Sequence, residues 1–236
     1  MFKKSLLCAF LATIFIGSAN TADASLILVL RSGSSAEVVV IDNEVAGTTV
    51  GSWTSTADDS NMALGSAVFN GSYEQYSTVN VTAQSKPELP LNEMDLGGTV
   101  STRESDTREL VAFAFDLGFA GTGPSFLSQT GGTNDGDFGA RTFVNGSNTD
   151  NLGDYSLIAT SGTFTPADSP FSWSQTDNVA HGSPFGMLVE GRFSFDSPGG
   201  TTFDINLKQV SAVPEPTTVL IWSMMAGVGL VVRRRR

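Results

Sequence analysis

Oxygen donors at close spacing are the residues of this sequence with the most obvious chemistry. Asn134-Asp-Gly-Asp137 and Asn145-Gly-Ser-Asn-Thr-Asp-Asn-Leu-Gly-Asp154 set carboxylates among glycines and asparagines. A hard cation such as calcium takes carboxylate and carbonyl oxygens from flexible loops. Asp135, Asp137, Asp150 and Asp154 are therefore the candidate calcium ligands. Neither stretch has EF-hand spacing, and Gly131-Gly-Thr-Asn134 matches only a fragment of one nonapeptide calcium repeat. Asx-rich turns also arise for conformational reasons alone.

Catalysis finds less material. His181 is the single histidine, set in the turn-like Asn178-Val-Ala-His-Gly-Ser-Pro184 and expected to be a solvent-exposed loop residue. No Gly-x-Ser-x-Gly elbow precedes a helix, so a serine triad has no anchor. One histidine and one cysteine leave zinc little but carboxylates. Asp137-Phe-Gly139 matches the magnesium motif of kinases without any other kinase element. Carboxylates are numerous enough for glycoside hydrolysis, but no pair stands out. No catalytic residue is assigned, and the protein is expected not to be an enzyme.

These side chains need a compartment and a scaffold. The chain opens with Met1-Phe-Lys-Lys, an apolar core and the small-residue pattern Ala22-Asp-Ala24. That order is a secretory signal, cut by signal peptidase after Ala24. Cys8, the only cysteine, leaves with it, so the exported body has no thiol or disulfide. Residues 25–212 carry seven cationic side chains against 22 carboxylates, a net charge of about −15. So acidic a body has no electrostatic means of holding nucleic acid.

Within residues 25–212, short apolar or alternating runs recur between Gly, Ser, Thr, Asn and Asp, the pattern of an all-β fold. Leu26–Leu30 and Val38–Ile41 are the first two strands, and Val45–Trp53 is a third. Asn70-Gly71 suits a type I′ turn joining Met62–Phe69 to Tyr73–Gln84. Val111–Leu117 is apolar on both faces and reads as a central strand, with Val111, Phe113, Phe115 and Leu117 inward and Ala112 and Ala114 outward. Phe185–Phe195 and Phe203–Leu207 alternate cleanly across Ser197-Pro-Gly-Gly200, which predicts an antiparallel hairpin. The expected fold is one antiparallel β-sandwich of jelly-roll type, between a signal helix (1–24) and a C-terminal membrane segment (213–236).

That segment reads Pro214-Glu215-Pro216, an uncharged run from Val219 to Val232, then Arg233, Arg234, Arg235 and Arg236. Guanidinium groups are costly to draw through hydrocarbon and stop translocation. As a helix the run spans about 21 Å at roughly 1.5 Å per residue, short of the ~30 Å hydrocarbon core. A marginal anchor suits temporary use.

The Pro-Glu-Pro motif, a short apolar segment with Ala226, Gly227 and Gly229, and the terminal arginine cluster resemble the tripartite sorting signal of PEP-CTERM exported proteins. The resemblance implies recognition by exosortase, a membrane-embedded transpeptidase that cuts near the motif and passes the protein to the surface. That family belongs to Gram-negative, often biofilm-forming bacteria whose exosortase systems accompany exopolysaccharide gene clusters. The body also looks like a group of such proteins at Phe69-Asn-Gly71, Asp116–Phe119, Phe126–Ser128, Gly131–Thr133 and Thr201–Asp204, a likeness that implies a β-sandwich and no activity. The expected protein is an exported, non-enzymatic surface or matrix protein. The alternative is a β-sandwich that uses its acidic loops and calcium to hold exopolysaccharide.

Overall fold

The computed structural model describes residues 26–90 and 92–210. Ala22, Ala24, the Pro214–Pro216 motif and the arginines Arg233 to Arg236 lie outside the described residues. Fourteen strands run through the described residues. They are β1 (Ile27–Ser32), β2 (Val38–Ile41), β3 (Thr49–Val50), β4 (Trp53–Thr54), β5 (Ser66–Tyr73), β6 (Tyr76–Gln84) and β7 (Glu93–Thr102). The second half holds β8 (Asp106–Phe119), β9 (Ser125–Asn134), β10 (Asp137–Asn145), β11 (Ser156–Phe164), β12 (Phe171–Asn178), β13 (Phe185–Phe195) and β14 (Gly199–Val210). Among the described residues, no helix is long and apolar enough to cross a membrane.

Two six-stranded sheets, ordered β11-β10-β13-β8-β1-β2 and β12-β9-β14-β7-β6-β5, face each other as a sandwich. Period-two alternation builds the layer between them, since every second side chain of a strand points to the same face. Leu28, Ala114, Val189 and Phe193 of the first sheet meet Val81, Leu96, Ile205 and Leu207 of the second. Each fully buried side chain of this kind contributes about 1.5–3 kcal/mol relative to exposure.

Faces follow the sequence pattern, but pairing departs from it. β13 and β14 bury the predicted apolar parity, yet they lie in different sheets. Ser197-Pro-Gly-Gly200 therefore crosses between layers and does not close a hairpin. Asn70-Gly71 sits inside β5, paired with Asn80 and Val79, and the reversal comes later at Glu74, where φ is 54°. Val45–Trp53 is a loop ending in the two-residue strands β3 and β4. β8 is central as predicted, but its faces are exchanged. Leu110, Ala112 and Ala114 line the inter-sheet core, while Val111, Phe113 and Phe115 join a second apolar layer outside.

That second layer explains the two apolar faces of β8. Ile27, Val29, Ile41, Phe113, Phe115 and Leu188 are covered by Trp53 from the β3–β4 hairpin and by Leu152 and Tyr155 from the β10–β11 connection. The Trp53 ring lies 5.3 Å from Phe115 and 6.4 Å from Phe113, a favourable tilted arrangement. The first strand begins and the last one finishes at the same end of the sandwich. Asp42 N–H donates to Leu26 O (3.1 Å), Gly65 N–H to Asp42 Oδ2 (2.7 Å) and Ser85 N–H to Gly65 O (2.8 Å). Beside Ser85, Gln84 is in register with Asp95 and hence with Asn206, near the end of β14.

Candidate functional site

The outer face of the second sheet carries a groove of about 800 Å³ running over β7, β14, β9 and β12. Register builds it row by row. Glu93, Lys208 and Leu127 form one row, Asp95, Asn206 and Gln129 the next, and Gly97, Asp204 and Gly131 the third. Ser172 and Ser174 of the edge strand continue the last two rows, and Trp173 and Val210 complete the lining. The floor is thus amides, hydroxyls and a few charges, with apolar surface at its margins.

Two glycine pairs shape the third row. Phe203 is in register with Gly98 and Gly132, and Asp204 with Gly97 and Gly131, so β14 is flanked by glycine on both sides at two successive levels. A Cβ at Gly98 would lie 2.0 Å from Asn80 O, and one at Gly132 would lie 2.0 Å from Thr202 O, so neither position admits a side chain. At Gly97 and Gly131 the nearest atoms would be 3.3 and 3.4 Å away. The Asp204 carboxylate leans over the bare backbone of Gly97, where a Cβ would lie 3.4 Å from its Oδ1, and the absent side chain at Gly131 leaves an open lane on its other side.

Charge is distributed unevenly along the groove. Lys208 Nζ pairs with Glu93 Oε2 at 3.1 Å, and Asn206 Nδ2 donates to Glu93 Oε1 at 2.8 Å. Among the described residues no cationic side chain pairs with Asp204. Asp95 stands diagonally behind it. Burial, then a hydrogen bond with Asp204 and repulsion from it, push the Asp95 carboxyl up to about 8. At neutral pH Asp95 therefore keeps a proton that it shares with Asp204. Asp95 Oδ1 is buried, and apart from that shared proton no N–H or O–H of the described residues reaches it.

The four candidate calcium ligands divide between opposite ends of β10, nine residues long. Asp135 Oδ2 accepts from Gly200 N–H (3.2 Å), and Asp137 lines a smaller groove on the first sheet. Asp150 Oδ2 accepts from the backbone and hydroxyl of Ser52 (2.7 and 2.8 Å), which holds its carboxyl below the usual range. Asp154 Oδ2 accepts from Thr149 Oγ1 (2.6 Å). Asp150 thus ties the β3–β4 hairpin down, and the four do not converge. Among the described residues, no group of three or more His, Cys, Asp or Glu is disposed to hold a metal ion.

His181 is not the exposed loop residue predicted. Its ring packs 4.3 Å from Phe185 and 5.2 Å from Phe126, and its nitrogens lie 2.6 and 2.9 Å from the carbonyls of Gly182 and Gly123. It closes one end of the core. The smaller groove, about 310 Å³, uses its charges internally, since Arg192 is paired with Glu190 (2.6 Å) and Glu109 (3.0 Å). A further ion pair, Lys86 with Asp116 at 2.8 Å, is sunk beneath Phe119.

No family model matches the chain, and no curated protein does. Among solved structures it is similar to a carbohydrate-binding module described in complex with β-1,4-galactotriose, at 9% identity over 59% of this chain and 92% of that one, with a TM-score of 0.34. It is also similar to one of the carbohydrate-binding modules of the β-sandwich superfamily, at 10% identity over 80% and 86%, with a TM-score of 0.34. A third is the xylan-binding domain of Paenibacillus barcinonensis Xyn10C, at 9% identity over 64% and 88%, with a TM-score of 0.30. Similarity of this order carries no inference about what the chain binds.

Proposed function

We propose that this chain is an exported surface protein whose β-sandwich body binds polysaccharide in the groove of its second sheet. The observation that supports the reading is the groove itself. It is long, shallow and lined by side-chain amides, hydroxyls and carboxyls held on paired strands, with Leu127, Trp173 and Val210 at its margins. Sugar hydroxyls need such alternating donors and acceptors, and the apolar faces of sugar rings need apolar surface beside them. The carboxyls of Asp95 and Asp204 are in direct hydrogen-bond contact, whereas paired glycosidase carboxyls stand about 5 Å or more apart across the bond they cut, so binding is the reading. Export and sorting rest on the signal-like N-terminus and the PEP-CTERM-like tail.

A glycan array probed with the full chain tests the proposal. Binding to extended polysaccharides is expected, and Gly131→Leu is expected to abolish it. A side chain there fills the lane beside Asp204, and its Cβ meets nothing closer than 3.4 Å. Undiminished binding by Gly131→Leu, or no glycan bound at all, would overturn the assignment.

A further inference from the structure

We propose that the groove selects polysaccharide carrying protonated amino sugars, with Asp204 holding the ammonium group beside Asp95. This inference rests on the glycan-binding reading and names its ligand class. Three observations lead to it. Lys208, the cation of the groove, is occupied by Glu93, which leaves Asp204 as the unmatched charge on the floor. Gly131 leaves Asp204 open on the β9 side, so a sugar ring can bring a substituent onto the carboxylate. Behind it, Asp95 Oδ1 is buried, and apart from the hydrogen bond with Asp204 no donor among the described residues reaches it.

Two carboxyls that face each other without a cation hold a proton between them because the chain supplies nothing better. An ammonium group brings three N–H donors and a full positive charge. It can bridge Asp204 and Asp95 while the Asp95 O–H bond gives its proton to water or a buffer base, and no other covalent bond changes. A neutral hydroxyl offers a single donor and leaves the shared proton in place. A uronic acid would set a third carboxylate against Asp204 on a body already near −15.

The test is calorimetric titration of the full chain, held in neutral detergent at pH 5.5, where the amine is protonated, with four oligosaccharides of equal length. These are a β-linked glucosamine oligomer, its N-acetylated counterpart, a neutral glucan and a galacturonate. The glucosamine oligomer is expected to bind roughly tenfold more tightly than the N-acetylated form, the gain of charge-assisted over neutral hydrogen bonds. Repeating the titration in buffers of different ionisation heat should show about one proton released per bound chain, and none with Asp95→Asn. Asp204→Asn should remove the preference for the amine. Equal affinity for the amine and N-acetyl forms, or a preference that survives Asp204→Asn, would overturn the proposal. In either case glycan binding itself would stand. Failure of all four ligands to bind would remove both readings.

Discussion

Asp95 and Asp204 are the same side chain placed in different surroundings by two residues of register. Asp204 stands exposed between bare glycines, whereas Asp95 is sunk between neighbours and held protonated to about pH 8. The consequence for stability has a definite sign. The folded state keeps a proton that the unfolded chain gives up above the ordinary value of 3.8, so Asp95 costs stability as pH rises from there to about 8. Asp42, raised to about 6 by burial, adds a loss of the same sign over the lower part of that window. Replacing Asp95 with Asn removes its own share and leaves that of Asp42 unchanged. The difference in Tm between Asp95→Asn and the parent should therefore shift in favour of the variant from pH 4 to 8 and level off above. Thermal unfolding at pH 5, 7 and 9 measures it, and a gap independent of pH would show that Asp95 does not hold the proton.

The β3–β4 hairpin acts as a cover for an otherwise exposed apolar sheet face. Trp53 touches that face and Asp150 fastens the turn beside it. Trp53→Ala should cost about 2–4 kcal/mol, at or below the range for a fully buried aromatic because the ring is only half-buried. Equilibrium denaturation would detect it, and a loss under ~0.5 kcal/mol would mean the hairpin contributes little cover. This element also shows how far sequence reasoning reaches. Alternation told which side chains of β13 and β14 are buried, because period-two patterning reports the face directly. It could not tell whether two apolar faces lie side by side in one sheet or meet across the core, since both satisfy the same pattern. The doubly apolar run of β8 was visible, but its faces could be assigned only once Trp53 and Tyr155 were seen above Phe113 and Phe115. For the site the limit is similar. Gly131–Thr133 and Thr201–Asp204 were conspicuous as separate motifs, but only pairing of β9 with β14 makes Gly131 a neighbour of Asp204. Asn206 and Lys208 fell on the polar parity of an alternating run, and Glu93, Asp95 and Gln129 carried no signal at all, whereas the acidic loops that drew attention proved to be fastenings.

At the scale of the whole molecule, the proposal is a body made for the surface and a tail used to reach it. Intact-mass measurement of surface-released protein beside its membrane-bound precursor should give a released form that begins at Ser25 and ends between Val213 and Pro216. A released form still carrying Arg233 to Arg236 would replace transient sorting with a permanent anchor. The layout also has a mechanical consequence. Asp204, Asn206 and Lys208 lie on β14, the strand that runs directly on into residues 211–236, and β14 is paired over ten positions with β7 and over ten with β9. A bound polymer pulling against an attachment at the C-terminal end of β14 would load both ladders in shear along the strand axis. Their hydrogen bonds would have to yield together and could not unzip singly.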